Sequence, residues 1–268
     1  MRKTILLAFL FLSAAAFASP TYTRFTDRRY NRIYFGPQGY YLGVKVRSNP
    51  TSTMIPTDQG RKLRGDMWGM VFGYEHKHFE SLYAAAKISW AWGRIKNSST
   101  SNRFVHDGWV ETRLGYNMIA YQGTRLLATP YTGFAFLYTG NSRSQGFPSL
   151  KFKYYKYAIP VGLLLDYVAY SFFHIGFDFT WIPDVDATVK IKDTSARWVL
   201  KNSTGNFHVE LPFIFYMGPD NQGEIRLVPF WRKTKNGRTD IINAGGTTLI
   251  PGQTNIYWGG NIALAYRF

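Results

Sequence analysis

The chain has 268 residues and carries 32 Lys and Arg against 16 Asp and Glu, a formal net charge of +16. It contains 8 Trp, 19 Tyr and 21 Phe but no cysteine, which excludes disulfides and thiol-linked lipid as sources of stability or anchoring. No apolar run is long enough to cross a bilayer as a helix: the best, Ala158 to Leu165, contains Pro160 and ends at Asp166.

Met1-Arg2-Lys3 is a short positive segment, Thr4 to Leu12 is apolar, and Ala14 to Ser19 supplies small residues, with Ala16-Phe17-Ala18 matching the A-x-A cleavage pattern. This predicts a signal peptide over residues 1–19, cleaved near residue 18 or 19, and export by the general secretory pathway. An exported chain does not routinely meet nucleic acid, so the basic excess points to membrane-surface and glycan polyanions. Residues 20–37, with Arg24, Arg28, Arg29 and Arg32, read as a segment ahead of the first strand.

From there the chain alternates apolar and polar residues in ten stretches, the two-residue period of strands with unlike faces. Gly39 to Arg47 is expected to send Tyr40, Leu42, Val44 and Val46 outward, and Met67 to His76 to send out Trp68, Met70, Phe72 and Tyr74. Leu82 to Gly93 sets Leu82, Ala84, Ala86, Ile88, Trp90 and Trp92 against Lys87 and Ser89. Gly108 to Ile119 opposes Val110, Leu114 and Tyr116 to Glu111 and Arg113, and Leu126 to Thr139 shows Phe134, Phe136 and Tyr138 on one face. Tyr154 to Tyr167, Ser171 to Trp181, Asn206 to Met217 and Glu224 to Trp231 follow, and the last stretch runs to Phe268. Each has about the 9–11 residues that a tilted strand needs to cross hydrocarbon.

The connections alternate in length. Short ones fall at Glu75–Ser81, Ala120–Arg125, Val168–Tyr170 and Gly218–Gly223, and long ones at Ser48–Asp66, Arg94–Asp107, Gly140–Lys153, Ile182–Gly205 and Arg232–Gly252. A soluble sandwich also alternates its faces, but it buries its aromatic face against a second sheet and gives no such rhythm of loops. The pattern predicts an all-β fold: a transmembrane, antiparallel, up-and-down β-barrel of ten strands, with eight or twelve as the other counts.

In the final strand Ile256, Trp258, Ile262, Leu264, Tyr266 and Phe268 share one face, and Asn255, Asn261, Ala263, Ala265 and Arg267 the other. Such a strand ending on an aromatic residue resembles the outer-membrane β-barrel proteins of Gram-negative bacteria. The resemblance implies an outer-membrane location, residues 20–37 in the periplasm, a barrel over residues 38–268, and Phe268 as a signal to the barrel-assembly machinery. It further implies a lipid and lipopolysaccharide environment and a monomer. The final hairpin, from Pro229-Phe-Trp-Arg through Leu249-Ile-Pro-Gly, is similar to the end of the ten-stranded Opc-type adhesins.

Lys45, Lys87, Glu111, Arg113, Lys156, Asp166, Glu224 and Arg226 are expected to line the lumen, with Arg232 also at an inward position, as a filling of ion pairs or as a narrow, anion-preferring channel. Arg61, Lys62, Arg64, Arg94, Lys96, Arg232, Lys233, Lys235 and Arg238 are expected on the long loops, where they hold lipopolysaccharide phosphates or anionic glycans. For an enzyme, the candidates are His208, Glu210 and Asp178, which resemble part of the catalytic set of omptin-type proteases and can polarise a water. That family's adjacent acidic pair is missing, since Asp184-Val-Asp186 falls in a long loop. The reading is a surface adhesin without catalytic activity, cofactor or metal, with a porin-like channel second and an omptin-like peptidase third.

Overall fold

The computed structural model describes residues 30–46, 62–77, 81–96, 102–119, 126–144, 151–170, 172–191, 197–218, 222–239 and 252–268. The expected signal peptide, residues 20–29 and Arg61 lie outside the described residues. Ten wall strands run in chain order. They are β1 Tyr30–Val46, β2 Lys62–Lys77, β3 Leu82–Lys96, β4 Asn102–Tyr116 with Met118–Ile119, and β5 Leu126–Ser144. The second half comprises β6 (Phe152–Ala158 and Val161–Tyr170), β7 (Phe173–Trp181 and Asp184–Ile191), β8 (Arg197–Val199, Phe207–Glu210 and Phe213–Met217), β9 Gly223–Asn236 and β10 Gln253–Arg267.

Each strand pairs antiparallel with the next, and β1 closes on β10 in a register running from Arg32↔Arg267 to Val46↔Gln253. The result is a closed, ten-stranded, up-and-down barrel in which, among the described residues, the short Arg197–Val199 segment of β8 pairs with β7 alone. Among the described residues no helix is long and apolar enough to cross a membrane, and crossing falls to the strands.

Three of the gaps, one each in β6, β7 and β8, share a chemical cause. They fall at Ile159-Pro160, Ile182-Pro183 and Leu211-Pro212, where proline has no N–H to give to the ladder. The carbonyls stay in use: Gly133 N–H donates to Pro160 O at 3.1 Å and Gly176 N–H to Pro212 O at 2.6 Å.

The first strand departs from expectation. β1 begins at Tyr30, so residues 30–37 belong to the wall and not to a preceding segment. Its faces are also reversed: Tyr40, Leu42, Val44 and Val46 point inward, packed with Leu63, Met67, Ala91, Ile95, Val105 and Tyr257, while Ile33, Phe35 and Tyr41 face out. Equating apolar with lipid-facing fails here, because the upper barrel (the end with the long connections) is filled by an apolar core of its own. Lys45, expected in the lumen, is therefore on the outer surface.

That core also explains why the long connections are shorter than expected. Strand structure continues through 62–66, 94–96, 102–107, 140–144, 184–191 and 232–236. Along 62–66 and 94–96 the outward positions turn from apolar to charged while the inward ones are apolar, as in exposed Lys62 and Arg64 around buried Leu63, and exposed Arg94 and Lys96 around buried Ile95, whereas β9 keeps polar Arg232, Thr234 and Asn236 inward. The alternation persists with its meaning inverted, which in sequence looks like a polar loop. A second inward cluster, Phe152, Tyr154, Ala187, Val189 and Leu200, fills the opposite wall.

Candidate functional site

The lumen is a stack of neutralised charges. At the lower end Arg32 on β1 bridges Glu75 on β2 and Glu224 on β9, the latter at 3.2 Å, and Arg267 approaches Glu224 at 3.4 Å. Beside them Lys77 pairs with Asp166, and Arg226 lies 4.3 Å over the ring of Tyr34. In the middle layer Arg113 on β4 holds Glu111 at 2.8 Å and Asp178 on β7 at 2.5 Å, while its guanidinium rests 4.5 Å from the Tyr131 ring centre. Tyr131 in turn donates its hydroxyl to Asp178 at 2.6 Å, and Lys87 on β3 pairs with Glu210 on β8.

Above these, Arg232 on β9 meets Asp107 on β4 at 2.5 Å, and Tyr40 donates to the same carboxylate at 2.9 Å. Arg232 is sandwiched among aromatic rings, 3.8 Å from Tyr257 and 4.7 Å from Trp109. Lys156 reaches Asp184 at 3.3 Å and the Lys235 carbonyl at 2.5 Å, and Asn206 donates to Asp184 at 2.7 Å. This packing leaves a cavity of about 40 Å³ lined by Arg32, Lys87, Arg113, Asp178, Glu210 and Arg226, among others. That is room for a few waters.

The outer surface inverts the polarity of the inner one. Exposed Phe35, Met70, Phe72, Ile88, Val110, Leu114, Leu163, Phe177, Ile262 and Leu264 form an apolar belt. Tyr41, Trp68, Trp92, Trp181 and Trp258 edge it above, and Tyr74, Tyr116, Tyr170 and Tyr266 below, the girdled exterior of a barrel seated in a bilayer.

No family model and no curated protein matches the sequence. Among solved structures, the outer-membrane protease OmpT of Escherichia coli superposes with a TM-score of 0.52 at 14% identity, covering 93% of this chain and all 100% of that one. The translocator domain of the autotransporter NalP from Neisseria meningitidis gives 0.43 at 11% identity over 99% and 96% of the two chains. OprG of Pseudomonas aeruginosa gives 0.37 at 10% over 91% and 99%. The chain is folded as an outer-membrane β-barrel.

Within this barrel the expected lumen residues Lys87, Glu111, Arg113, Lys156, Asp166, Glu224 and Arg226 all face inward. Lys45 does not. Arg232, expected both at an inward position and at the base of a long loop, is 6% exposed inside the barrel, because β9 continues past it with even-numbered residues inward. Lys62, Arg64, Arg94, Lys96 and Arg238 are exposed, and Lys233 and Lys235 half-buried. Phe268 lies on the outer face and exchanges both backbone hydrogen bonds with Asn31.

The three catalytic candidates do come together. Register pairs Glu210 with Asp178 and His208 with Thr180, and His208 Nε2 stands 3.3 Å from Glu210 Oε1. Yet His208 is buried between the rings of Trp109 and Phe230, and both acids are engaged by Lys87 and Arg113. Asp184 is held by Lys156 on an inward strand position and not in a loop. Reading residues one strand at a time missed Arg32, Lys77, Asp107 and Tyr131. The first hid in the segment assigned ahead of the barrel, and the others acquire partners only once distant strands close.

Tyr131 reaches Asp178 because its ring lies over Gly162 on the neighbouring strand, where a Cβ would stand 2.4 Å from the ring. Gly162→Val should push the ring off and break the Tyr131–Asp178 bond, lowering stability by about 1–3 kcal/mol in urea unfolding from lipid vesicles. Unchanged stability would show that the ring needs no such seat.

Proposed function

We propose that the protein is a non-conducting surface protein of the outer membrane whose upper, extracellular rim binds anionic glycans, an adhesin in function. The observation that carries this reading is a division of charge. Of the described carboxylates, Glu75, Asp107, Glu111, Asp166, Asp178, Asp184, Glu210 and Glu224 are buried within the barrel, leaving Asp66 and Asp186 outside. The acids are spent on neutralising the interior, so the cationic excess is displayed on the exterior. Lys45, Lys62, Arg64, Arg94 and Lys96 cluster on adjacent β1, β2 and β3 above the aromatic girdle. Asp66 shares the outer face of β2 with Arg64 and is the one described acid in this cluster, so five cations face one carboxylate and a sulfated or carboxylated glycan meets a net positive field there.

The test is binding of the purified barrel to a sulfated glycosaminoglycan. Replacing Lys62, Arg64, Arg94 and Lys96 together by Gln should weaken binding by roughly tenfold or more and flatten its salt dependence. Binding that survives the quadruple change and stays salt-insensitive sinks the proposal. Planar bilayers containing the wild-type protein should show no steady conductance, and a stable single-channel current would favour the porin-like reading instead.

A peptidase reading has one observation in its favour, the approach of His208, Glu210 and Asp178 in a fold that OmpT shares. Burial beneath Arg232 and its aromatic neighbours, and the ion pairs of both acids, favour a structural role. Peptide cleavage by the wild type that disappears in His208→Ala would decide for the enzyme.

A further inference from the structure

On the far side of the barrel from the β1–β3 cluster, three cations stand in line across three neighbouring strands. Lys153 on β6 is the register partner of Lys190 on β7, and Lys190 is the register partner of Arg197 on β8. All three project from the outer face, since Phe152, Tyr154 and Val189 on either side of them point inward. Like charges directly opposite one another destabilise a sheet, and among the described residues none of the three is paired with a carboxylate. Asp186 lies further down the same face of β7, opposite Tyr157.

Beneath the row runs an aromatic strip. Lys190 Nζ sits 5.6 Å from the Tyr155 ring centre, Tyr155 is 5.4 Å from Tyr138, and Tyr138 stacks on Trp90 at 5.5 Å with an 11° tilt. Phe136 and Tyr157, 5.2 Å apart, continue it into the apolar belt. A repulsive row of cations directly above a lipid-facing aromatic surface matches an amphiphile with a clustered anionic head and several acyl chains. Sugars stack on aromatic faces, phosphates accept from Lys and Arg, and chains follow the belt.

We propose that Lys153, Lys190 and Arg197, with Tyr155 and Tyr138 below them, form a site on the outer wall for a phosphorylated glycolipid of the outer leaflet. The site rests on the membrane placement proposed above but not on glycan binding, and it uses different residues from the β1–β3 cluster. The phosphate bridges cations that otherwise repel, so the bound lipid relieves a strain built into the wall.

The experiment uses the full chain purified in a zwitterionic detergent, with lipid adducts counted by native mass spectrometry and confirmed by the shift in unfolding temperature. The probes are a bisphosphorylated multi-acyl glucosamine disaccharide, its dephosphorylated form, and inorganic phosphate. The proposal expects the first to bind, the second to bind roughly tenfold more weakly or not at all, and phosphate alone to give little shift. Lys153→Gln/Lys190→Gln/Arg197→Gln should abolish the preference for the phosphorylated lipid, while Lys62→Gln/Lys96→Gln should keep it. Because Lys190 is exposed, Lys190→Gln alone serves if the triple variant fails to assemble, with a loss of a few-fold expected. Equal binding of both glycolipids, or an unchanged preference in the triple or the single variant, overturns the proposal. Stabilisation by inorganic phosphate as large as that by the glycolipid overturns the lipid assignment. A variant set that loses glycolipid but keeps glycosaminoglycan binding upholds this site separately from the adhesin reading.

Discussion

Replacing Arg113 by Met should destabilise the barrel by about 3–5 kcal/mol, the range found when one member of a buried ion pair is removed. Arg113 holds two carboxylates at once, Glu111 at 2.8 Å and Asp178 at 2.5 Å, and all three side chains are at most 8% exposed. Taking away the guanidinium leaves two like charges near one another in a cavity of about 40 Å³, too small to rehydrate both. Met fills most of the lost volume, so the loss reports charge and not a void. The measurement is reversible urea unfolding in phospholipid vesicles, followed by tryptophan fluorescence. Adding Glu111→Gln and Asp178→Asn to Arg113→Met should recover most of the loss, because a neutral, hydrogen-bonded layer needs no counter-charge. A loss under about 1 kcal/mol for the single change would mean that water reaches this layer freely, the value seen for exposed ion pairs. The closed-lumen reading would fall with it.

How far the sequence could be read depends on what each strand face touches. Glu111 and Arg113 alternate with Val110, Thr112 and Leu114, so the inward face of β4 was legible from period alone. Pairing the seventh and eighth stretches around their long connection likewise puts Asp178 opposite Glu210, and the register agrees. Period alone failed on β1, where Leu42, Val44 and Val46 form an interior core and Lys45 faces outward, because two-residue periodicity gives two faces without saying which is which. In the membrane the oily face looks out; above it the oily face looks in. Arg232 read both ways, as an inward residue and as a loop base, and the structure puts it inside. Its partner Asp107 stands 125 residues away in the chain, and its aromatic neighbours Tyr40, Trp109 and Tyr257 come from three other strands. Only closure of the barrel brings these together. The cationic row on β6, β7 and β8 was out of reach for a related reason: Lys190 and Arg197 lie in a stretch that reads as loop, and their alignment is a matter of register.

Depth along a single strand offers the second large effect. Ile88 and Leu82 both project from the outer face of β3 and are 52% and 54% exposed. Ile88 pairs with Phe72 and Val110 within the apolar belt, whereas Leu82 pairs with Tyr116 in the lower girdle. If solvent were water, arginine at either site would change stability by no more than about 0.5 kcal/mol, as surface substitutions do. In a bilayer the two part company: Ile88→Arg should cost about 2–4 kcal/mol and Leu82→Arg about 0–1 kcal/mol, since the guanidinium at Leu82 reaches the head groups. The comparison is made by urea unfolding in the same vesicles, with strand and chemistry held constant and only depth varied. Equal, small losses at both sites would mean that the girdled belt does not face hydrocarbon. The membrane placement on which rim, lumen and wall site all depend would then be untenable, because exposed Phe72, Ile88 and Leu114 would need some other surface to cover them.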